Sequence, residues 1–374
     1  MTNLIFASFV AFVFYVIIPL AGAFSVRYRW RCFRRQIQQT TILKEVSYSE
    51  PERNESGAAG EYSFTGELQA IQEDSTIWVN NGKTSVRAEM KGLKLYLLPT
   101  NRFMENEGQV EENKALLPQD MPKRISWERV YSLTQGTGIM LSGTVFVENG
   151  TPVFRNSEEQ PLLAIIFDGK KESILRRSIW SGRQLNEYWN TLTPWALITG
   201  SFFLFVLAYI SLRSGVSNSV ELLLIIMSII PVILFLPPGV ILYVLYRRLW
   251  RNGRYLRGER DLMKVLTDYP EFEEFETGSQ AIKKYPDLKI RSCGIFNEEL
   301  LSLMPCRVYC SCNIDEDFRP VHFYENLIVP GDPFELAEKC RSRARLMEVL
   351  AVASVGAGFL INSLLLYFGL LFFS

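Results

Sequence analysis

The sequence predicts an integral membrane protein with four transmembrane α-helices, a small cytoplasmic β-barrel or OB-like domain, and a small cytoplasmic α+β domain. Three observations predict this class. Four long apolar blocks interrupt a chain of 374 residues, basic residues flank them on one side, and the polar stretches between them carry short alternating strands. Average values hide this order, since 40 basic and 40 acidic residues give zero net charge and the mean hydropathy is +0.06.

Each apolar block is long enough to cross a bilayer, because a helix needs about 20 apolar residues to span the hydrocarbon core. The four blocks are residues 4–24, 195–212, 220–245 and 349–373. Pro231 and the Pro-Pro-Gly run at 237–239 should kink or break the third block. A cleaved signal peptide is the alternative for the first block, but its positive charge follows the apolar stretch instead of preceding it.

Basic residues beside the spans predict the orientation, because Lys and Arg resist translocation. They cluster after the first block, after the third and before the fourth, whereas the loop between the second and third has only Arg213. Both termini are therefore expected outside a cell (inner or cytoplasmic) membrane, with residues 25–194 and 246–348 in the cytoplasm. We expect one set of basic residues to contact the lipid bilayer and its anionic headgroups. Each such contact contributes about 1 kcal/mol. That set is Arg27, Arg29, Arg31, Arg34, Arg35, Arg247, Arg248, Arg251 and Arg254.

Aromatic residues lie among these arginines and suit the aromatic belt of a membrane interface. They are Tyr28, Trp30, Phe33, Trp250 and Tyr255. Basic residues with interleaved aromatics also suit single-stranded nucleic acid. The position beside the spans and the zero net charge favour the membrane, so no nucleic-acid partner is expected.

The first cytoplasmic region begins with a basic juxtamembrane segment and linker, residues 25–61, and continues as a β domain over residues 62–194. Alternating segments separated by Asn-Gly turns at 81–82 and 149–150 predict six or seven short strands. Such a series suggests a small barrel or OB-like sheet. A helical stretch is expected at residues 181–190, ahead of the second span.

One pattern in this region resembles the membrane-tethered β domain of GIDE-type proteins and other bilayer-attached OB-like modules. It is carried by Glu128-Arg129-Val130, Gly143, Asn149-Gly150 and Pro152, between an apolar anchor and a return to the membrane. The resemblance covers residues 60–195 at most and implies an OB-like barrel. The GIDE ubiquitin ligases end in a RING finger, whereas this sequence ends in an apolar block, so ligase activity is not implied.

The second cytoplasmic region, residues 246–348, predicts the small α+β domain. It contains a basic continuation of the third span, an acidic stretch at 268–276 and two further strand-like segments. Asp332 followed by Pro333 and Glu335 is typical of a helix start. A helix from this point could run unbroken into the fourth block.

The cysteines are the main chemical candidates, and all six lie on the predicted cytoplasmic side, where thiols stay reduced. A zinc site, or a cysteine nucleophile paired with histidine, would draw on Cys293, Cys306, Cys310, Cys312 and His322. Paired CxxC knuckles are missing from this spacing, so buried or spare thiols are the preferred interpretation. No catalytic residue, cofactor or metal is therefore predicted.

The spans carry no acidic or basic residue at their centres, although ion-coupled transport and proton relays usually need such groups. What they offer is helix packing, through the small residues Ser354 and Gly358 and the amide of Asn362. We therefore expect a non-enzymatic scaffold, assembly or regulatory protein that binds a protein partner or a second copy on the cytoplasmic face. The alternatives are a membrane enzyme or transport-complex subunit that uses the Cys306 to His322 region, and an oligomeric channel.

Overall fold

The structure is a computed structural model. It describes residues 2–41, 43–46, 58–72, 74–99, 120–130, 133–157, 161–169, 171, 173–183, 185–214, 218–266, 271–286, 290, 298–309 and 327–373. The chain forms two compact units. We call Met1–Cys32, Leu185–Arg254 and Ser342–Ser374 the helical unit, and Phe33–Gln184 and Tyr255–Arg341 the barrel unit.

Nine α-helices and twelve strands lie within the described residues. The helices are α1 Thr2–Phe12, α2 Ile18–Thr40, α3 Ser173–Trp180, α4 Thr193–Arg213, α5 Asn218–Ile233, α6 Gly239–Leu266, α7 Gly278–Lys284, α8 Glu298–Leu303 and α9 Pro333–Phe373. A π-helical segment, Val13–Ile17, joins α1 to α2. The strands are β1 Lys44–Glu45, β2 Ala58–Ile71, β3 Thr76–Asn80, β4 Ser85–Glu89, β5 Lys94–Leu97, β6 Lys123–Ser126, β7 Gly138–Glu148, β8 Thr151–Arg155, β9 Leu163–Phe167, β10 Glu271–Phe275, β11 Cys306–Tyr309 and β12 Leu327–Pro330.

Three helices are long and apolar enough to cross a membrane, judged by length and composition. They are Leu4–Thr40, Thr193–Arg213 and Pro333–Gly369; they contain the first and second predicted spans and the fourth as far as Gly369. The third predicted span is not one helix, because α5 ends at Ile233 and α6 begins at Gly239. Pro237 and Pro238 have no N–H to continue the helix, so the break lies where the prolines predicted it. The described residues therefore show three such helices and not four.

Five strands close into a β-barrel because β2 pairs with β7 along one edge and with β3 along the other. The order around the barrel is β2-β3-β4-β8-β7, with β4 and β8 parallel and the other pairs antiparallel. The two predicted Asn-Gly turns connect β3 to β4 and β7 to β8. The backbone of β3 approaches β2 closely at Gly66, where a Cβ would lie 2.5 Å from the Asn80 carbonyl oxygen.

The barrel encloses an apolar core and extends on one side into an open sheet. Phe64, Leu68, Ile77 and Phe154 are among its fully buried side chains. Beyond β7, the strands β9, β5 and β6 continue the same sheet. A second core packs α2 and α3 against this extension, and it includes Trp180.

The remaining part of the barrel unit is a three-stranded sheet of β10, β11 and β12. Helix α9 begins beside it, and Asp332 Oδ1 accepts a hydrogen bond from the Phe334 N–H at 2.9 Å, as the predicted helix start requires. Helix α9 then runs unbroken to Phe373. The helix expected at residues 181–190 is wrong, because α3 ends at Trp180 and the described residues that follow form turns.

Candidate functional site

A groove of about 890 Å³ opens on the barrel unit. Its walls come from β2 at residues 65–69, the β3–β4 turn at 80–82, the start of β7 at 136–138, and residues 167–169 with Lys171 after β9. Glycines at positive φ make the turns of these walls, including Gly82 at 88° and Gly136 at 82°. They leave main-chain polar groups accessible where side chains would otherwise cover them.

The hydrogen-bond ladder on one edge of β2 is interrupted inside this groove. Strand β1 pairs with β2 as far as Ser63, whose carbonyl accepts from the Val46 N–H at 3.0 Å. Strand β3 pairs with the same edge from Glu67 onward. Thr65 and Gly66 therefore lie between two paired stretches, and among the described strands neither β1 nor β3 pairs with them.

The Thr65 side chain adds a polar group at this interruption. Thr65 is 2% exposed, and no partner for its Oγ1 is present among the described residues. A buried hydroxyl without a hydrogen bond costs about 1–3 kcal/mol, so such groups in native proteins commonly mark a bound water or ligand. The groove is therefore a candidate binding site with a polar floor.

Charge in the groove comes mainly from Glu67, because the other two ionised side chains are paired. Asp168 accepts from Arg177, and the Lys171 Nζ lies 2.9 Å from a carboxylate oxygen of Glu45. Arg177 is buried, and desolvation lowers the pKa of its guanidinium while the hydrogen bond to Asp168 opposes that shift. Exposed Glu67 leaves the groove acidic.

The helical unit contains a different polar feature, where a proline leaves a carbonyl without its helical donor. Pro231 lies inside α5 and cannot donate to the carbonyl of Met227, one helical turn earlier. The hydroxyl of Tyr15, in the π-helical segment, lies 3.2 Å from that carbonyl and 3.0 Å from Ser201 Oγ. Gly200 makes room, since a Cβ there would lie 2.9 Å from the Tyr15 ring. The sequence reasoning missed this group, although a proline inside an apolar helix signals the need for a donor.

A second proline site receives a polar contact from Asn362 of α9, although the Ile233 carbonyl there also accepts from the Leu236 N–H at 3.1 Å. Pro237 cannot donate to the Ile233 carbonyl, and Asn362 Nδ2 donates to Ile233 O at 2.7 Å and to Leu236 O at 2.8 Å. Asn362 is 1% exposed. The break is closely packed, because a Cβ on Gly239 would collide with the Asn362 amide.

Gly358 and Ser354 lie one and two turns before Asn362 on the same face of α9, and both are buried. A Cβ on Gly358 would lie 3.6 Å from the Gly239 Cα and 2.9 Å from a methyl of Leu234. The Ser354 hydroxyl donates within its own helix, to the Ala351 carbonyl at 2.8 Å. The three residues selected for helix packing thus form one buried stripe, two of whose members contact the break between α5 and α6.

The arginines selected as interfacial divide into exposed and paired groups. The exposed ones are Arg29, Arg31, Arg35, Arg247 and Arg248, and Arg251 is half-buried. Glu187 binds two others, Arg27 at 2.6 Å and buried Arg254 at 3.1 Å. Arg34, in the barrel unit, pairs with Asp261 at 2.9 Å. Buried Arg254 binds a carboxylate and stacks on Trp250, so it is not placed to contact headgroups as expected.

Of the cysteine and histidine candidates, only Cys306 lies within the described residues; Cys293, Cys310, Cys312 and His322 lie outside them. Cys306 is fully buried in β11, and burial raises the pKa of its thiol to about 11. A protonated, buried thiol is a poor nucleophile and a poor metal ligand. Within the described part of the chain no three potential ligands come together.

Comparison with known proteins finds no matching family model, no matching curated protein and no matching solved structure. The resemblance of residues 60–195 to GIDE-type domains therefore stays a prediction. The groove on the barrel unit and the proline-matching contacts of the helical unit are the geometric features that bear on function.

Proposed function

We propose that this chain is a multi-pass membrane scaffold or regulatory protein whose OB-like barrel binds an extended segment of a protein partner. The interruption of the β2 ladder at Thr65 and Gly66, inside an open groove, is the observation that carries this proposal. A partner strand or loop laid in the groove supplies hydrogen bonds to main-chain groups that β1 and β3 leave available.

The strand arrangement supports an OB-like barrel. The five strands follow the order β2-β3-β4-β8-β7, so the third strand in sequence pairs with the fifth in parallel. This is the Greek-key closure of five-stranded OB barrels, whose open faces and loops bind extended polymers. The acidity of Glu67 disfavours a phosphate backbone and favours a polypeptide.

Four spans are proposed, with α5 and the start of α6 forming the third as a broken helix. In lipid, a proline is tolerated where neighbouring helices satisfy the carbonyl that it frees. Tyr15 and Asn362 make such contacts at the two proline sites. With four crossings, the basic flanks place the termini outside the cell membrane and residues 25–194 and 246–348 in the cytoplasm.

The partner segment is expected to carry a Lys or Arg side chain, or its own N-terminal amine. Glu67 is exposed at the groove, whereas the charges of Asp168 and Lys171 are balanced by Arg177 and Glu45. A basic group on the partner would pair with Glu67 without displacing an existing ion pair. Exposed ion pairs of this kind contribute up to about 1 kcal/mol. Glu67 therefore favours basic partner segments, while the main-chain hydrogen bonds determine where the segment lies in the groove.

The test is site-specific photo-crosslinking in cells from a photoreactive residue at exposed Gln69, which lines the groove. The matched control is the same residue at Lys94, which is exposed on β5 outside the groove lining. We expect a discrete crosslinked protein from position 69 alone, whose yield Glu67→Lys lowers several-fold and Lys94→Glu leaves unchanged. Equal crosslinking from both positions, or a product insensitive to Glu67→Lys, contradicts the proposal.

A catalytic or metal-binding role is not the preferred function, because the buried and protonated state of Cys306 disfavours it. The groove instead offers shape, hydrogen-bonding groups and charge in one place. A partner-binding role therefore accounts for more of the described geometry.

A further inference from the structure

The segment that precedes α4 is fixed to the helical unit by its polar side chains. Glu187 accepts from Arg27 Nε at 2.7 Å and from Arg254 Nη2 at 3.1 Å. Asn190 Nδ2 donates to the Pro19 carbonyl at 3.0 Å, and the missing side chain of Gly22 leaves room for this amide. Two helices, α2 and α6, therefore hold one short turn segment, residues 185–192.

The same segment satisfies its own main-chain groups with side chains. Asn186 Oδ1 accepts from the Tyr188 N–H at 3.1 Å, and Asn190 Oδ1 accepts from the Leu192 N–H at 2.9 Å. The Thr193 hydroxyl donates to the Tyr188 carbonyl. Because these groups are paired internally, the segment can enter a medium of low polarity at a smaller free-energy cost than an ordinary turn.

Its large side chains point outward. The exposed fractions are 43% for Tyr188, 68% for Trp189, 50% for Leu192 and 72% for Trp195, the last at the start of α4. Of the aromatics expected at the interface from the sequence, Tyr28 is 69% exposed, whereas Trp30 and Trp250 are only 7% and 8% exposed. The exposed aromatic surface of this unit therefore includes residues that the sequence reasoning did not select.

We infer that residues 185–195 form an interfacial anchor whose Trp189 and Trp195 lie in the headgroup layer of the bilayer. Tryptophan is enriched at this depth because its ring is apolar while its indole N–H can bond to water or headgroups. The segment adjoins α4, a helix apolar enough to cross a membrane. Exposed Arg29 and Arg247 of the same unit complement anionic lipid.

The inference rests on the proposed membrane location but not on partner binding by the groove. The test uses the full chain reconstituted into vesicles of phosphatidylcholine and phosphatidylglycerol, with bromine on the upper or the lower part of the acyl chain. Flotation of the vesicles first shows whether the protein is membrane-bound. Tryptophan quenching by the two brominated lipids is then compared for the native chain and for Trp189→Phe with Trp195→Phe. The control is Trp78→Phe, a half-buried barrel-strand residue.

We expect upper-chain bromine to quench more than lower-chain bromine, and the quenched intensity to fall by about half in the double variant. Trp78→Phe should leave the quenched intensity unchanged. Full quenching retained in the double variant overturns the anchor, as does quenching of Trp189 and Trp195 by aqueous iodide in the vesicles. Protein that does not float with the vesicles refutes the membrane location itself, which is a different outcome. Phenylalanine at these exposed positions preserves the ring, so the fold is expected to persist.

Discussion

The amide of Asn362 should stabilise the break between α5 and α6, and Asn362→Leu is the substitution that isolates this effect. Leucine has the same number of side-chain heavy atoms and the same branch at Cγ, so the shape is largely kept while both hydrogen bonds are lost. Those bonds run to the carbonyls of Ile233 at 2.7 Å and Leu236 at 2.8 Å. The substitution therefore tests whether a polar group from α9 specifies where the apolar segment bends.

The expected cost is about 1–2 kcal/mol of unfolding free energy. Interhelical hydrogen bonds in membrane proteins average about 0.6 kcal/mol and reach about 1.7. Two are lost, but both carbonyls keep a main-chain donor, Leu236 N at 3.1 Å for Ile233 and Val240 N at 3.2 Å for Leu236. Asn362 Oδ1 has no partner among the described residues, so removing it relieves part of the cost.

The assay is unfolding of the purified full chain in mixed micelles, followed by circular dichroism as the denaturing detergent increases. Ser363→Leu, at the neighbouring and less buried position, is the matched control and should shift the midpoint less. Asn362→Ala should also lessen the cost of Gly239→Ala, because the added Cβ collides with the amide. An unchanged midpoint for Asn362→Leu, or strict additivity of the two alanine changes, refutes the reasoning.

Three further outcomes are expected. Tyr15→Phe should cost about 1 kcal/mol of unfolding free energy in the same assay, and clearly less when Pro231→Ala restores the helical N–H. Equal costs in both backgrounds would contradict the idea that the Tyr15 hydroxyl replaces this N–H. Glu187→Gln should cost about 2–4 kcal/mol with little salt dependence, because Arg254 is buried, and a loss that vanishes in 1 M salt would contradict a buried pair. In a variant without the other cysteines, Cys306 should react with maleimide at pH 8 about a hundredfold more slowly in the folded than in the unfolded protein, because burial raises the pKa of its thiol. The rate in the folded protein should rise as the pH approaches 11.

The sequence predicted local features of the barrel better than its closure. The Asn-Gly turns located both hairpins because each turn requires positive φ within a few residues. Closure instead depends on pairing between strands far apart in sequence, and at Gly66 the Asn80 carbonyl approaches so closely that a Cβ would collide with it. A glycine inside an alternating strand can equally mark a weak point, a bend or a close approach of another backbone. The interruption at Thr65 follows from how far β1 and β3 extend, so the groove could not be predicted from local sequence.

The aromatic belt shows a different limit. Trp30 stands between Arg29 and Arg31, and the sequence suggested one interfacial cluster. In a helix, neighbouring residues point about 100° apart, so a cluster in sequence is not a patch on the surface. Both arginines are exposed, whereas Trp30 is buried. Trp189, in a turn whose Glu187 and Asn190 side chains bond to neighbouring helices, is exposed instead.

The prolines explain why the third apolar block was only half predictable. A proline can be read from the sequence, and so can the loss of one N–H at a known position. The donor at each site cannot be read in this way, because it comes from another helix: Tyr15 is 212 residues from Met227, and Asn362 is 129 residues from Ile233. In water such a carbonyl would be solvated and the donor would have little effect. In an apolar surrounding the Met227 carbonyl must find a donor, so Pro231 and Tyr15 become one unit, and substitution of either should be felt through the other. The Ile233 carbonyl already accepts from the Leu236 N–H at 3.1 Å, so Asn362 adds a second donor there.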